Sequence, residues 1–227
     1  MNITMEIDGI KVYISSDVTY LNEFKDKAPV VLVLDESNMQ LDTTAFRYAV
    51  MLGAESEEID KEYLRLVVAR YLNKPFIISS NDKLVIAEMH PDHAGEIARL
   101  YKESKPEFLD ALFSENEDGK ELIQKYITEV YDFYGYGIWE VIFDNKIIGI
   151  AGLIQRDNGA DIPDLELGYF ISKVYQNRGF GYKACCQIIE YAKENFLFDN
   201  IFVNIDRNNI ISEKLAKKLN VKINYIN

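Results

Sequence analysis

"YQNRGFGYKA", residues 175–184, sets two glycines one residue apart behind a Gln and an Arg and then opens a helical pattern. A loop with few side chains lets backbone N–H groups approach an anion, and the helix that follows adds a favourable N-terminal dipole. The same residues would also serve a tight strand-to-helix turn that needs glycine torsions. Gly179, Gly181 and Ala184 match the dinucleotide spacing G-x-G-x-x-A as well. Yet "KVYQNR" separates the preceding strand from the first glycine, an antiparallel hairpin stands upstream, and too little chain follows for a doubly wound domain. A nicotinamide or flavin site is therefore not expected.

The segments around the loop alternate strand and helix signals. Upstream, "GIWEVIF" and "KIIGIAGLI" flank Asp144-Asn145, a good antiparallel turn, and "DLELGYFIS" forms the next strand. Downstream come a strand, "NIFVNID", a helix, "NNIISEKLAKKLN", and a last strand, "VKINYI". Further back, "LVIAEM" reads as a strand and "HPDHAGEIARLYKES" as a helix with Pro91 at its first turn. Two more helical segments are expected between Pro106 and Tyr131. His90 and His93 are spaced for a metal pair, but no further His or Cys stands nearby, so no metal is expected.

The first eighty residues read as a separate small layer. "IKVYIS" alternates, "PVVLVLDES" is a continuous apolar run of the kind buried on both faces, and "FRYAVML" alternates again. In "EEIDKEYLRLVVARYLNK", Ile59, Tyr63, Leu66, Val67 and Tyr71 share a helical stripe. Pro75 opens "PFIISS", and a polar break, "SSNDK", follows. Residues 1–81 are thus expected to form a β-α-β-β-α-β domain and residues 82–227 a second domain. Asp35 and Glu36 end a buried strand, where α/β ligands bind, but no partner residues complete a site, and an interaction or scaffolding role is expected there.

The chain has 227 residues, a usual size for two small domains, and 48% are apolar. A formal charge of −12 argues against broad affinity for nucleic acid or anionic membrane and favours cationic partners such as amines. Cys185 and Cys186 are the only cysteines and cannot form a disulfide framework, which suits a reducing cytosol. The N-terminus lacks a signal-peptide pattern, and the wholly apolar runs are too short to span a bilayer. A cytoplasmic protein is expected.

"QNRGFG", 176–181, resembles the Q/R-x-x-G-x-G/A signature of the GNAT superfamily of acyl-CoA N-acetyltransferases. "NIISEKLAKKLN", 209–220, resembles its second signature, N-x-x-S followed by a helix, and "LELGYFIS" is similar to its central strand. The resemblance covers residues 83–227 and is nearest to the ribosomal-protein (RimL-like) acetyltransferases. It implies a mixed, mostly antiparallel splayed sheet with flanking helices. It also implies acetyl-CoA as co-substrate and transfer of its acetyl group to a primary amine, from a small molecule or a peptide N-terminus. The amides of Arg178, Gly179, Phe180, Gly181 and Tyr182, behind Gln176, would then hold the CoA pyrophosphate. Backbone groups at Phe170 and Ile171 would pair with the pantetheine arm, which Asn209 would also contact while capping its helix. Glu166 stands where the family often places a base, and Ser212 where the RimL-like enzymes have a proton donor. The Tyr that many members use as acid is replaced by Ala216.

"YDFYGYGIW", 131–139, intersperses aromatics with glycines, and Tyr134 and Tyr136 are candidates for the acceptor side. Asn220-Val221 stands where the family has Gly-Phe, and the chain stops seven residues later, before a strand that most members add. An uncovered sheet edge is expected, to be covered either by a second copy in a homodimer or by the N-terminal domain. These departures also leave open a CoA-binding sensor without turnover.

Overall fold

The computed structural model describes residues 2–51, 59–106, 108–109, 118–156 and 159–226. Contacts divide the chain into two compact units, Met1–Phe76 and Ile77–Asn227.

In the first unit, β1 (Asn2–Ile7) and β2 (Ile10–Ser15) form a hairpin across Asp8-Gly9, whose φ values are 50° and 81°. A two-residue turn with both φ positive matches the twist of the strands it joins. After α1 (Val18–Asn22), β3 (Val30–Leu34) and β4 (Ala49–Met51) add in parallel, giving the order β1-β2-β3-β4. Helix α2 (Lys61–Tyr71) buries Leu64, Val67 and Val68 against Val12, Ile14, Val31 and Val33. This β-β-α-β-β-α order differs from the expected β-α-β-β-α-β at both ends. Strand β1 precedes the first expected strand, and "PFIISS" belongs to the other sheet.

The second unit is a seven-stranded sheet ordered β11-β10-β9-β8-β7-β6-β5. Strand β5 (Ile77–Asn81) turns through Asp82-Lys83, both at positive φ, into β6 (Leu84–Glu88). The polar stretch at 79–83 is therefore a hairpin turn and not a break between domains. A 3-10 turn at Pro91–His93 leads into α3 (Ala94–Ser104). Then α4 (Gly119–Tyr126), a π-helical turn (Ile127–Tyr131) and α5 (Asp132–Tyr134) run together towards the sheet. Strands β7 (Ile138–Phe143) and β8 (Lys146–Arg156) form the expected hairpin, with Asp144 and Asn145 at φ 51° and 60°. Strand β9 (Asp164–Ile171) follows, then α6 (Phe180–Asn195), β10 (Ile201–Asp206), α7 (Ile210–Leu219) and β11 (Lys222–Ile226). Fully buried Trp139, Ile148, Ile150, Leu165, Cys185 and Ile188 mark the core between sheet and helices.

The feature that makes a site is a broken ladder. Strands β9 and β10 pair in parallel at Leu165–Ile201 and Glu166–Phe202 only. Beyond that rung they part, while β10 stays paired with β11 along Phe202–Asp206. Among the described residues, β11 has a paired neighbour on one side only.

Candidate active site

The strands part beside a cleft of about 690 Å³. Tyr169, Phe170 and Ile171 of β9 form one wall, the loop 175–182 the floor, and Asn209, Ile211, Ser212, Lys214, Leu215 and Lys218 of the α7 region the opposite wall. Two hydrogen bonds fix the direction of the β9 backbone. Leu165 N–H donates to the Asn200 carbonyl on the β10 side (2.8 Å), and Ser172 N–H donates to the Ile148 carbonyl on the β8 side (2.9 Å). Alternation along the strand therefore turns the peptide groups of Tyr169 and Ile171 into the gap and those of Phe170 towards β8. The Ile171 carbonyl accepts from Gln176 Nε2 at 2.7 Å, which ties the glycine loop to the strand end.

The loop delivers its backbone as the sequence suggests. Asn177 (φ 58°) and Gly179 (φ 79°) are left-handed, and Gly179 is the N-cap of α6 with no side chain capping the helix. The first-turn amides of a helix have no intrahelical partner, and a helix start without a side-chain cap could hold an anion. A Cβ on Gly181 would stand 3.3 Å from Leu215 Cδ1 and 3.5 Å from Ile171 Cγ1, two residues of the cleft walls. Gln176, Gly179, Phe180, Gly181, Tyr182, Phe170, Ile171, Asn209 and Ser212 all line the cleft. Arg178 does not. Its guanidinium lies over the rings of Phe180 (4.9 Å), Tyr175 (5.7 Å) and Phe143 (5.9 Å), so it braces the loop from behind.

Asn209 caps α7, its Oδ1 accepting from Ser212 N–H at 3.1 Å. The Ser212 carbonyl accepts from the Tyr169 hydroxyl at 3.2 Å, and burial pushes that phenol up to about 12. Sequence reasoning missed the cationic groups of the cleft. Lys173, Lys214 and Lys218 all line it, with Lys218 Nζ 3.8 Å from the Tyr182 ring centroid. In a chain of charge −12, three ammonium groups around an uncapped helix start form a local field suited to phosphates.

Glu166 sits at the last rung before the strands part, buried, with Oε2 accepting from Arg156 Nε at 2.6 Å. Its antiparallel partner, Ile154, lines a second cavity of about 230 Å³ that also contains Tyr134 and Tyr136. Pro106 lines the first cavity and Phe108 the second. The Phe108 ring also lies against Gly168, whose added Cβ would meet it at 2.7 Å.

His90 and His93 both meet one buried carboxylate. His93 Nδ1 lies 2.9 Å from Oε2 of the fully buried Glu140, and His90 N–H donates to Oε1 at 3.2 Å. Burial raises the Glu140 carboxyl to about 7 against the opposing pull of His93. Among the described residues no group of three or more His, Cys, Asp or Glu could hold a metal ion, and no helix is long and apolar enough to cross a membrane.

Several solved structures share this fold. RimL, the ribosomal L7/L12 α-N-protein acetyltransferase, is similar with a TM-score of 0.52 at 13% identity, over 64% of this chain and 80% of that one. A probable acetyltransferase gives a TM-score of 0.52 at 20% identity, over 63% and 81%. The Salmonella typhimurium enzyme that modifies the N-terminal serine of 50S ribosomal subunit protein L7/L12 gives 0.51 at 14%, over 63% and 82%. Residues 83–222, more than half of the chain, match the family described as Acetyltransferase (GNAT) domain, and the chain therefore belongs to the GNAT acetyltransferases, which take their acetyl group from acetyl-CoA.

Proposed function

We propose that the enzyme holds acetyl-CoA along the cleft and passes the acetyl group to a primary amine that approaches from the side of Tyr134 and Tyr136. One observation carries this reading: the uncapped first turn of α6 opens onto the gap where β9 and β10 part. Amides 178–182 would take the pyrophosphate, with Lys173, Lys214 and Lys218 offsetting phosphate charge. The peptide groups of Tyr169 and Ile171 would pair with the amides of the pantetheine arm as a missing strand would. The thioester supplies an activated acetyl group, and it would lie near the last β9–β10 rung.

Glu166 stands at that rung. In this reading it takes a proton from the incoming ammonium, so that the neutral nitrogen can bond the acetyl carbon. Arg156 occupies Oε2, so proton acceptance falls to Oε1. The Ser212 hydroxyl, on the facing helix, gives a proton to the departing thiolate and recovers one through solvent from the nitrogen, which sheds its extra proton as the amide forms. The free thiols Cys185 and Cys186 suit a reducing cytosol. A homodimer along the outer edge of β11 is the assembly this reading favours.

The test is CoA affinity. Gly181→Val places branched carbon between Leu215 and Ile171, where only close backbone approach is lost. Calorimetry should show at least about a tenfold weaker Kd for CoA in a variant with an unchanged circular-dichroism spectrum. Wild-type affinity in the folded variant removes the pyrophosphate from this loop.

A further inference from the structure

The smaller cavity says what kind of amine the enzyme takes. Among the described residues none of its lining side chains carries a charge, and three tyrosines and Phe108 supply much of its wall. Two of those tyrosines have already committed their hydroxyls. Tyr126 Oη accepts from Ile138 N–H at 2.9 Å, and Tyr136 Oη donates to Gln155 Oε1 at 2.9 Å. What they offer a ligand is ring surface, edged by Leu153 and Ile154. At about 230 Å³ the cavity is smaller than the roughly 300–1,000 Å³ that encloses a whole drug-sized ligand, so it fits one group of a substrate. Its position fixes which group. Ile154 pairs across the ladder with Glu166, and Phe108 lies against Gly168, two residues before the cleft-lining Phe170. Glu166 itself lines neither cavity, but it shares a sheet face with Ile154, so a nitrogen placed beside it would have its carbon skeleton on the side of this cavity.

We propose that the cavity receives the acceptor's skeleton, and that the acceptor is a primary amine carrying one hydrophobic ring or branched chain and no second charge next to the amino group. This rests on the reading of Glu166 as the site of the reacting nitrogen. A polyamine or aminoglycoside would bring further ammonium groups to a wall with no carboxylate among its described residues to pair them, and burying an unpaired charge is costly. A small polar side chain such as that of an N-terminal serine would leave the rings uncovered and gain nothing from them.

The experiment uses the full chain with acetyl-CoA and measures thiol release for 2-phenylethylamine, ethylamine, spermidine, and short peptides that begin with Phe or with Ser. The expected kcat/KM for 2-phenylethylamine exceeds that for ethylamine and for spermidine by about 100-fold, as a filled hydrophobic pocket allows. The Phe and Ser peptides tell whether the hydrophobic amine is a peptide end or a free metabolite. Tyr134 is 41% exposed, so Tyr134→Ala should fold. It should cut kcat/KM for 2-phenylethylamine about tenfold and shrink the preference over ethylamine, with CoA affinity unchanged. Fastest turnover of spermidine or the Ser peptide, or an unaltered preference in Tyr134→Ala, overturns the proposal while leaving the reaction itself in place. If no amine turns over although CoA binds, calorimetry with 2-phenylethylamine on the CoA-saturated enzyme decides, and absence of binding overturns it. Failure to bind CoA would instead strike the proposed cofactor site.

Discussion

Replacing Glu140 by Gln should flatten the pH dependence of the second unit's stability. Glu140 projects from the centre of β7 into full burial, with His93 and the His90 amide as its polar contacts. Desolvation disfavours its charged form, and the nearby Glu96 adds to that, so the carboxyl rises from 4.5 to about 7 despite His93. The sign follows directly. Below pH 4.5 the group is protonated both folded and unfolded, and its contribution to stability is fully present. Between 4.5 and 7 the unfolded chain releases the proton while the folded chain keeps it, so stability falls as pH rises. The shift of about 2.5 units corresponds to about 3 kcal/mol between pH 4.5 and pH 8. Trp139 is the sole tryptophan, fully buried, and adjacent to Glu140 on β7, so its fluorescence reports this unit alone. Urea titrations at pH 5, 6, 7 and 8 should show the wild-type midpoint falling, relative to Glu140→Gln, by about 1 to 3 M across the series. Parallel midpoints in the two proteins would refute the reasoning, because the carboxyl would then titrate alike in both states.

The remaining predictions concern the site and its frame. Glu166→Gln should lower kcat at pH 7 by about 100-fold with CoA affinity nearly intact, and raising the pH should restore part of the rate because more acceptor is already neutral. Wild-type turnover at pH 7 would take Glu166 out of the mechanism. Ser212→Ala should cost less, about tenfold or below, since water can protonate a thiolate; a loss as large as that of Glu166→Gln would overturn that ranking. Gly152→Ala would put a Cβ 2.2 Å from the Gly137 carbonyl oxygen and 2.4 Å from Ile138 Cα, both backbone atoms, and should destabilise by about 2–4 kcal/mol in the same fluorescence assay. A change under about 0.5 kcal/mol would mean that β7 and β8 separate easily there. Light scattering should give a dimer mass for the full chain, and a monomer at high concentration would show that the edge of β11 is not the seat of self-association.

What the sequence disclosed, and what it withheld, follows from the range of the interactions. Gly179 needs φ 79° and Asn177 φ 58°, and a glycine or asparagine at such positions is a local demand, readable from a few neighbours. The same holds for Asn209, whose capping bond reaches only to Ser212. The lysines of the cleft were hidden by chemistry. Ile211, Lys214, Leu215 and Lys218 keep the i, i+3, i+4, i+7 spacing of one helix face, yet mix apolar and charged types, so no hydrophobic period marks them. The place of the Arg178 guanidinium was hidden as well: rings at 143, 175 and 180 gather around it, and Phe143 comes from a distant strand, while the expected contact of this residue is its backbone amide. Asp82-Lys83 shows a further ambiguity: a polar turn at positive φ and a polar linker look alike until strands on either side are known to pair. The parting of β9 from β10 is implied by the family resemblance alone and is not legible in the residues of the two strands. Nothing in "LELGYFIS" or "NIFVNID" says that pairing stops at Glu166, because each strand keeps another partner, β8 or β11, that satisfies its other edge. The gap opens between β9, paired on its other edge with β8, and β10, paired with β11. It leaves the peptide groups of Tyr169 and Ile171 turned towards a space that an extended amide chain can fill.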